Sequence, residues 1–131
     1  MIGLDTNVMV RYIEQDDPIQ SPKADQIINA LTQQAPGYIT VVTMVEISWV
    51  LMGPYKRTKA QVVAVLDGIL NTQTLVVEKS HLVAHAVNTY FAGNADFPDC
   101  LIERAADDAG CSKTVTFDQK AARSAGMQLI T

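Results

Sequence analysis

The sequence has little cysteine and no long apolar run. Its 2 cysteines, Cys100 and Cys111, form no C-x-x-C pattern, so we predict two small buried thiols rather than a disulfide or a metal site. No apolar run approaches the roughly 18 residues of a membrane span. The N-terminus lacks the basic segment of a signal peptide, and its apolar run ends at Asp5. We therefore expect a cytoplasmic protein with no membrane segment.

The sequence also has few positively charged residues. The chain carries 10 Lys and Arg residues against 14 Asp and Glu residues, which argues against a protein that holds nucleic acid by bulk positive charge. If four of the acids lie in one cluster neutralised by a metal ion, the other acids and the bases balance. Local basic patches can then still face a phosphate backbone, so the net charge leaves a nucleic-acid substrate open.

No linker, repeat or low-complexity stretch divides the 131 residues, so we expect a single domain over residues 1–131. Short β-prone runs alternate with longer helical patterns, which is typical of βαβ units around a parallel sheet. The sequence therefore predicts an α/β fold. The predicted strands are residues 2–4, 37–40, 74–77, 113–116 and 127–130.

Four acids are expected along one edge of this sheet. Asp5 and Asp118 directly follow predicted strands, and parallel strands all end at the same edge, where ligands bind. Glu46 and Asp99 lie where predicted helices begin at that edge. Crowded carboxylates raise one another's pKa and repel unless a cation lies among them. An all-oxygen site of this kind suits Mg²⁺ or Mn²⁺ and serves phosphate chemistry.

Helix capping is the alternative role for acids at these positions. Thr43 and Glu46 match the T-x-x-E capping box, and Asp96 and Asn7 are both suited to cap a helix. Capping explains an acid at the start of a helix. It does not explain why Asp5 ends an apolar strand on the edge where the other acids gather.

Other catalytic or metal sites fit the sequence less well. His81 and His85 have the spacing of a metal pair, but "HLVAH" lacks a glutamate and lies on the polar stripe of an amphipathic helix. A haloacid-dehalogenase-like phosphatase needs a second Asp where this chain has Asn7. A phospho-receiver module needs adjacent acids after the first strand, whereas the acid pairs here are residues 16–17 and 107–108.

Four motifs, in this order along the chain, resemble the acidic motifs of PIN-domain proteins. They are "LDTN", a lone Glu in the helix after the second strand, "ADFPDCLI" and "TVTFD". The likeness is greatest to VapC-type toxins of bacterial toxin–antitoxin pairs and covers essentially the whole chain. It implies a three-layer α/β/α sandwich with a central parallel sheet in the order 3-2-1-4-5. It also implies a Mg²⁺- or Mn²⁺-dependent endoribonuclease that uses water as the nucleophile and leaves a 5′-phosphate.

The resemblance assigns roles to particular positions. The catalytic acids and metal ligands would be Asp5, Glu46, Asp99 and Asp118. Polar positions that support these acids would be Asn7, Asp96 and Thr116. Two basic residues lie near this edge by sequence, Arg11 and Lys120, and either contact RNA phosphates or belong to the solvated surface.

The stretch "TMVEISWVLM", residues 43–52, is apolar on nearly all sides. Each Å² of apolar surface left in water costs about 25 cal/mol, so a neighbouring element or a partner should cover it. We expect a VapB-like antitoxin, by resemblance, to bind its exposed part through Ile47, Trp49 and Met52. A homodimer contact or complete burial within the chain is the alternative.

A catalytically silent protein with a PIN-like fold is the alternative to an enzyme. Such a module would only bind RNA or protein, and such proteins usually lose one or more of the acids. This chain keeps all four, which favours the nuclease.

Overall fold

The computed structural model describes residues 1–131, which form two compact units, residues 1–80 and 81–131. The first unit contains β1 (Ile2–Gly3), α1 (Thr6–Glu14), α2 (Gln20–Asn29), β2 (Gly37–Ile39), α3 (Val41–Met52), α4 (Lys59–Leu70) and β3 (Leu75–Val77). The second contains α5 (Ser80–Ala92), which begins at the boundary, α6 (Phe97–Asp108), β4 (Val115–Thr116), α7 (Gln119–Ser124) and β5 (Gln128–Leu129). None of these helices is long and apolar enough to cross a membrane. The single domain over residues 1–131 stays a prediction.

Both units contain parallel strands. In the first unit β2 lies between β1 and β3, with Gly37 opposite both Ile2 and Leu75. In the second unit β4 pairs with β5, and Val115 lies opposite Gln128. The predicted α/β class is confirmed, and every observed strand lies within its predicted range. The sheet order differs in detail from the implied 3-2-1-4-5: β1, β2 and β3 form one hydrogen-bonded sheet, and β4 and β5 form a separate one.

Gly37 is required by the close packing around the central strand of the first sheet. A Cβ atom at this position would lie 2.6 Å from Cδ1 of Leu4 and 3.0 Å from Cδ1 of Leu31. These distances are shorter than van der Waals contact between carbon atoms. The absence of a side chain at Gly37 therefore allows these leucines to pack over β2.

The helices of the first unit bury one face each. On α4, Val62, Leu66 and Ile69 are buried, as their helical spacing predicts. α1 packs against α2 and α3, and α3 packs against α4. This packing fixes where the N-terminus of each helix lies relative to the end of the preceding strand.

Helix α3 is only partly covered. Ile47 is fully buried, with 0% of its surface exposed, whereas Trp49 is 60% and Met52 44% exposed. The prediction that Ile47 lies at a partner interface is therefore wrong, because its side chain already packs inside the first unit. Val42 is 64% exposed and shares a helical face with Trp49 and Met52. We call these three residues the α3 stripe.

The core of the second unit forms around α5 and the start of α6. Phe97 is 1% exposed and meets the ring of Tyr90 edge to face, with ring centroids 6.0 Å apart. His81 and His85 lie on the exposed side of α5, as expected for its polar stripe.

No disulfide joins the two cysteines in the structure. Cys100 is buried, as predicted, but Cys111 is exposed. The prediction of a second buried thiol is wrong, because Cys111 follows the C-terminal turn of α6 rather than lying on its packed face.

Candidate active site

Asp5 is the N-cap of α1. Its backbone is extended, and its Oδ1 accepts a hydrogen bond from the backbone N–H of Val8 at 2.9 Å. The interpretation of Asn7 as the cap is wrong, because α1 begins at Thr6 and the Asn7 amide instead donates to Oε1 of Gln20 at 3.3 Å. This capping bond involves Oδ1 of Asp5 and not Oδ2. The cap therefore fixes the Asp5 carboxylate and leaves one oxygen for a ligand.

Glu46 is held by the residue next to Asp5. The hydroxyl of Thr6 donates to Oε1 of Glu46 at 2.8 Å. The capping box of Thr43 and Glu46 is not formed, so that alternative is wrong: the N-cap of α3 is Thr40, whose side chain accepts from the backbone N–H of Thr43. Glu46 lies in the second turn of the helix and is exposed. We call Asp5 and Glu46, linked through Thr6, the Asp5 pair.

Thr6 is the site residue that sequence reasoning did not single out. Its only signal is a hydroxyl directly after Asp5 in "LDTN". Its partner lies 40 residues away along the chain, beyond the range of any local capping pattern.

In the second unit the charges of Asp96 and Asp118 act on Asp99, and we call these three acids the Asp99 group. Asp96 is the N-cap residue of α6 by its backbone, but its side chain makes no capping hydrogen bond. Asp99 lies in the first turn of the same helix. Asp118 caps α7 and accepts from the backbone N–H of Lys120 at 2.7 Å. The hydroxyl of Thr116 accepts from the backbone N–H of Asp118 at 2.9 Å, so Thr116 fixes the turn that presents this acid.

The surroundings of Asp99 disfavour the charged form of its carboxyl group. Partial burial raises the pKa of Asp99, and the negative charges of Asp118 and Asp96 raise it further. A cation would relieve both effects. In neither unit do three or more His, Cys, Asp or Glu side chains lie close enough together to hold a metal ion. The carboxylate oxygens nevertheless match the ligand preference of Mg²⁺ and Mn²⁺.

The two predicted RNA-binding residues differ in their surroundings. Arg11 donates to Gln20 at 2.9 Å, to Asp16 at 3.2 Å and to the Tyr55 hydroxyl at 3.1 Å. The hydrogen bond from Tyr55 and the charge of Arg11 lower the pKa of Asp16. Three protein partners hold the guanidinium of Arg11, whose side chain is still partly exposed to solvent. Lys120 is exposed at the start of α7, and RNA contact by either residue stays a prediction.

A search of curated proteins finds no match to this sequence. The family model of the PIN domain matches residues 2–127, nearly the whole chain. The sequence resemblance to PIN-domain proteins is thereby confirmed, while the finer likeness to VapC-type toxins stays a prediction. The chain belongs to the PIN domain family, whose fold is generally that of nucleases and whose nucleases generally use divalent metal ions.

Proposed function

We propose that this protein is a Mg²⁺- or Mn²⁺-dependent endoribonuclease and the toxin of a toxin–antitoxin pair. On this proposal the metal ligands are Asp5, Glu46, Asp99 and Asp118. Membership of the PIN domain family supports the nuclease activity. The observation that carries the metal proposal is the Asp99 group, in which a partly buried carboxylate meets two further negative charges. A folded protein that keeps such repulsion between acids is best explained by a bound cation.

A divalent cation at these acids would supply a nucleophilic water near neutral pH and would stabilise negative charge on the phosphodiester. The protein's own part is to hold the ligands. The N–H of Val8 fixes one oxygen of Asp5, the hydroxyl of Thr6 fixes one oxygen of Glu46, and the first turn of α7 fixes Asp118. Hydrogen bonds of this kind orient metal ligands and tune metal affinity.

Cleavage of RNA tests the activity. The purified protein, freed of any partner, would be incubated with end-labelled transfer RNA and ribosomal RNA in Mg²⁺, in Mn²⁺ and in EDTA. We expect metal-dependent cuts that leave a 5′-phosphate, and no cuts from Asp5→Asn. The matched control is Asp108→Asn, which removes one exposed carboxylate at the end of α6 and should keep full activity. Equal cleavage by wild type and Asp5→Asn would contradict the assignment.

The same experiment separates the nuclease from the alternative, a silent module that binds RNA or protein. Such a module would retain RNA in a gel-shift assay and would cut none of the RNAs with either metal. That outcome would move the binding module ahead of the enzyme.

We also propose that the α3 stripe receives an amphipathic segment of a VapB-like antitoxin. Trp and Met are favoured as anchors at interfaces, and Trp49 and Met52 are both exposed on this helix. A basic side chain from the antitoxin would reach the acidic site and compete with the metal. The alternative occupant is a second copy of this chain in a homodimer. A toxin of this kind acts on cellular RNA, which places the proposed activity in the cytoplasm.

A further inference from the structure

A groove of about 200 Å³ lies between α1 and α2 in the first unit. Its floor is apolar and is formed by Val8, Ala24 and Ile27. Sites for drug-sized ligands occupy roughly 300–1,000 Å³. The groove is smaller and has room for one base rather than for a whole nucleotide.

Two amide side chains stand at the edge of this apolar floor. Oε1 of Gln20 accepts from the Asn7 amide at 3.3 Å and from Nε of Arg11 at 2.9 Å. These bonds use the acceptor of Gln20 and a donor of Asn7, and they do not involve the Gln20 amide NH₂ or Oδ1 of Asn7. Asp16 and Tyr55 in turn hold Arg11. The groove is therefore lined by an amide donor on Gln20 and an amide acceptor on Asn7, in two side chains that are hydrogen-bonded to each other.

The groove adjoins the Asp5 pair. The backbone N–H of Val8 donates to Asp5, while Val8 also lines the groove. A ligand in the groove thus lies within about one helical turn of the candidate catalytic acid. Lys23 brings positive charge to the same groove, which complements a phosphate backbone.

Resting on the proposed ribonuclease function, we propose that the α1–α2 groove binds one adenine base of the RNA substrate beside the site of cleavage. Adenine carries a donor, N6, next to an acceptor, N7, on one edge, and Asn and Gln amides pair with that edge. The same edge of guanine offers two acceptors and would leave Oδ1 of Asn7 unpaired. A pyrimidine would fill less of the apolar floor with its single ring.

Binding of free nucleotides tests the groove without any cleavage. Each of the four nucleoside 5′-monophosphates would be titrated into ¹⁵N-labelled protein in EDTA, and the backbone amide shifts followed by NMR. We expect the adenosine nucleotide to shift the amides of Val8, Gln20 and Lys23 saturably and more strongly than the other three. A stronger response to guanosine or to a pyrimidine would overturn the adenine assignment.

Gln20→Glu is the sharpest variant. It keeps the oxygen that accepts from Asn7 and Arg11 but removes the NH₂ donor, and we expect about fivefold weaker binding of the adenosine nucleotide, the value of one hydrogen bond. The matched control is Lys56→Asn, outside the groove, because Lys56 has a φ of 51° that Asn tolerates. Unchanged binding by Gln20→Glu would overturn the proposal.

Cleavage of RNA hairpins that differ in one base then links the groove to activity. We expect wild type to prefer the hairpin with adenine at the cleavage site, and Gln20→Glu to lose that preference through KM rather than kcat. If wild type cut no RNA but the adenosine nucleotide still shifted the groove amides, the proposed nuclease would fail and the base site would stand. If cleavage occurred with no base preference and no nucleotide shifted these amides, the base site alone would fail. Shifts caused only by an amphipathic peptide would make the groove a protein-docking surface and overturn the proposal.

Discussion

Thr6 provides a close test of how the Asp5 pair is built. Thr6→Val keeps the shape of the side chain and removes the hydroxyl that donates to Glu46 at 2.8 Å. If Glu46 is a metal ligand, this hydroxyl is an outer partner that orients it. Loss of such a partner typically lowers metal affinity or activity about 10- to 100-fold. The fold should be retained, because Thr6 lies at the first helical position of α1 and Asp5 still caps the helix.

The assay is Mn²⁺ binding measured by isothermal titration, alongside RNA cleavage at saturating and at limiting Mn²⁺. Thr6→Ser is the matched control, because it restores a hydroxyl at the same position and should recover most of the affinity. Circular dichroism spectra of all three proteins should coincide. If Thr6→Val bound Mn²⁺ and cut RNA as wild type does, Glu46 would not be a metal ligand positioned by Thr6.

Three further predictions concern stability, pH and the partner surface. Phe97→Ala should lower the free energy of unfolding by about 3–5 kcal/mol in urea denaturation, because it empties a fully buried site. Ile102→Ala on the exposed side of the same helix should change it by less than about 0.5 kcal/mol, and equal losses would contradict this account of the core. Asp99→Asn should raise the melting temperature in EDTA at neutral pH. The pKa of Asp99 is raised in the folded protein, so its charged form lowers the stability above the unfolded-state pKa. The gain should vanish below about pH 4, where the carboxyl group is protonated in both states. A melting temperature that Asp99→Asn lowered at neutral pH would show that the charge is not disfavoured. Trp49→Ala should weaken antitoxin binding while changing the stability by less than about 0.5 kcal/mol, since the side chain is exposed. Unchanged affinity for the antitoxin would show that Trp49 does not lie in that interface, and loss of self-association alone would favour the homodimer.

The strands and the helix faces were predictable from local pattern. The run at residues 37–40 is bounded by a Pro-Gly pair and a Thr cap, and the spacing of Val62, Leu66 and Ile69 places them on one face, which is the buried one. The sequence of helix α3 did not predict which face is buried, because the helix is apolar nearly all round. Its periodicity could not separate buried Ile47 from exposed Trp49.

The sequence predicted that Asp5 and Asp118 directly follow strands, but it did not predict which residues contact the acids. Asp5 and Asn7 are both good N-caps, and the choice depends on where β1 ends. Glu46 pairs with Thr6 rather than with Thr43 because α1 and α3 pack together. Contacts between residues so distant in sequence come from tertiary packing, which no local motif encodes.

A crystal structure of the protein grown with Mn²⁺ tests the central claim most directly, because manganese can be located by its anomalous scattering. The account predicts a manganese ion bound by carboxylate oxygens of both Asp5 and Asp99 at about 2.1 Å, the distance expected for a small divalent cation. Manganese bound elsewhere, or Asp5 and Asp99 carboxylates more than about 8 Å apart, too far to share one ion at that distance, would contradict it.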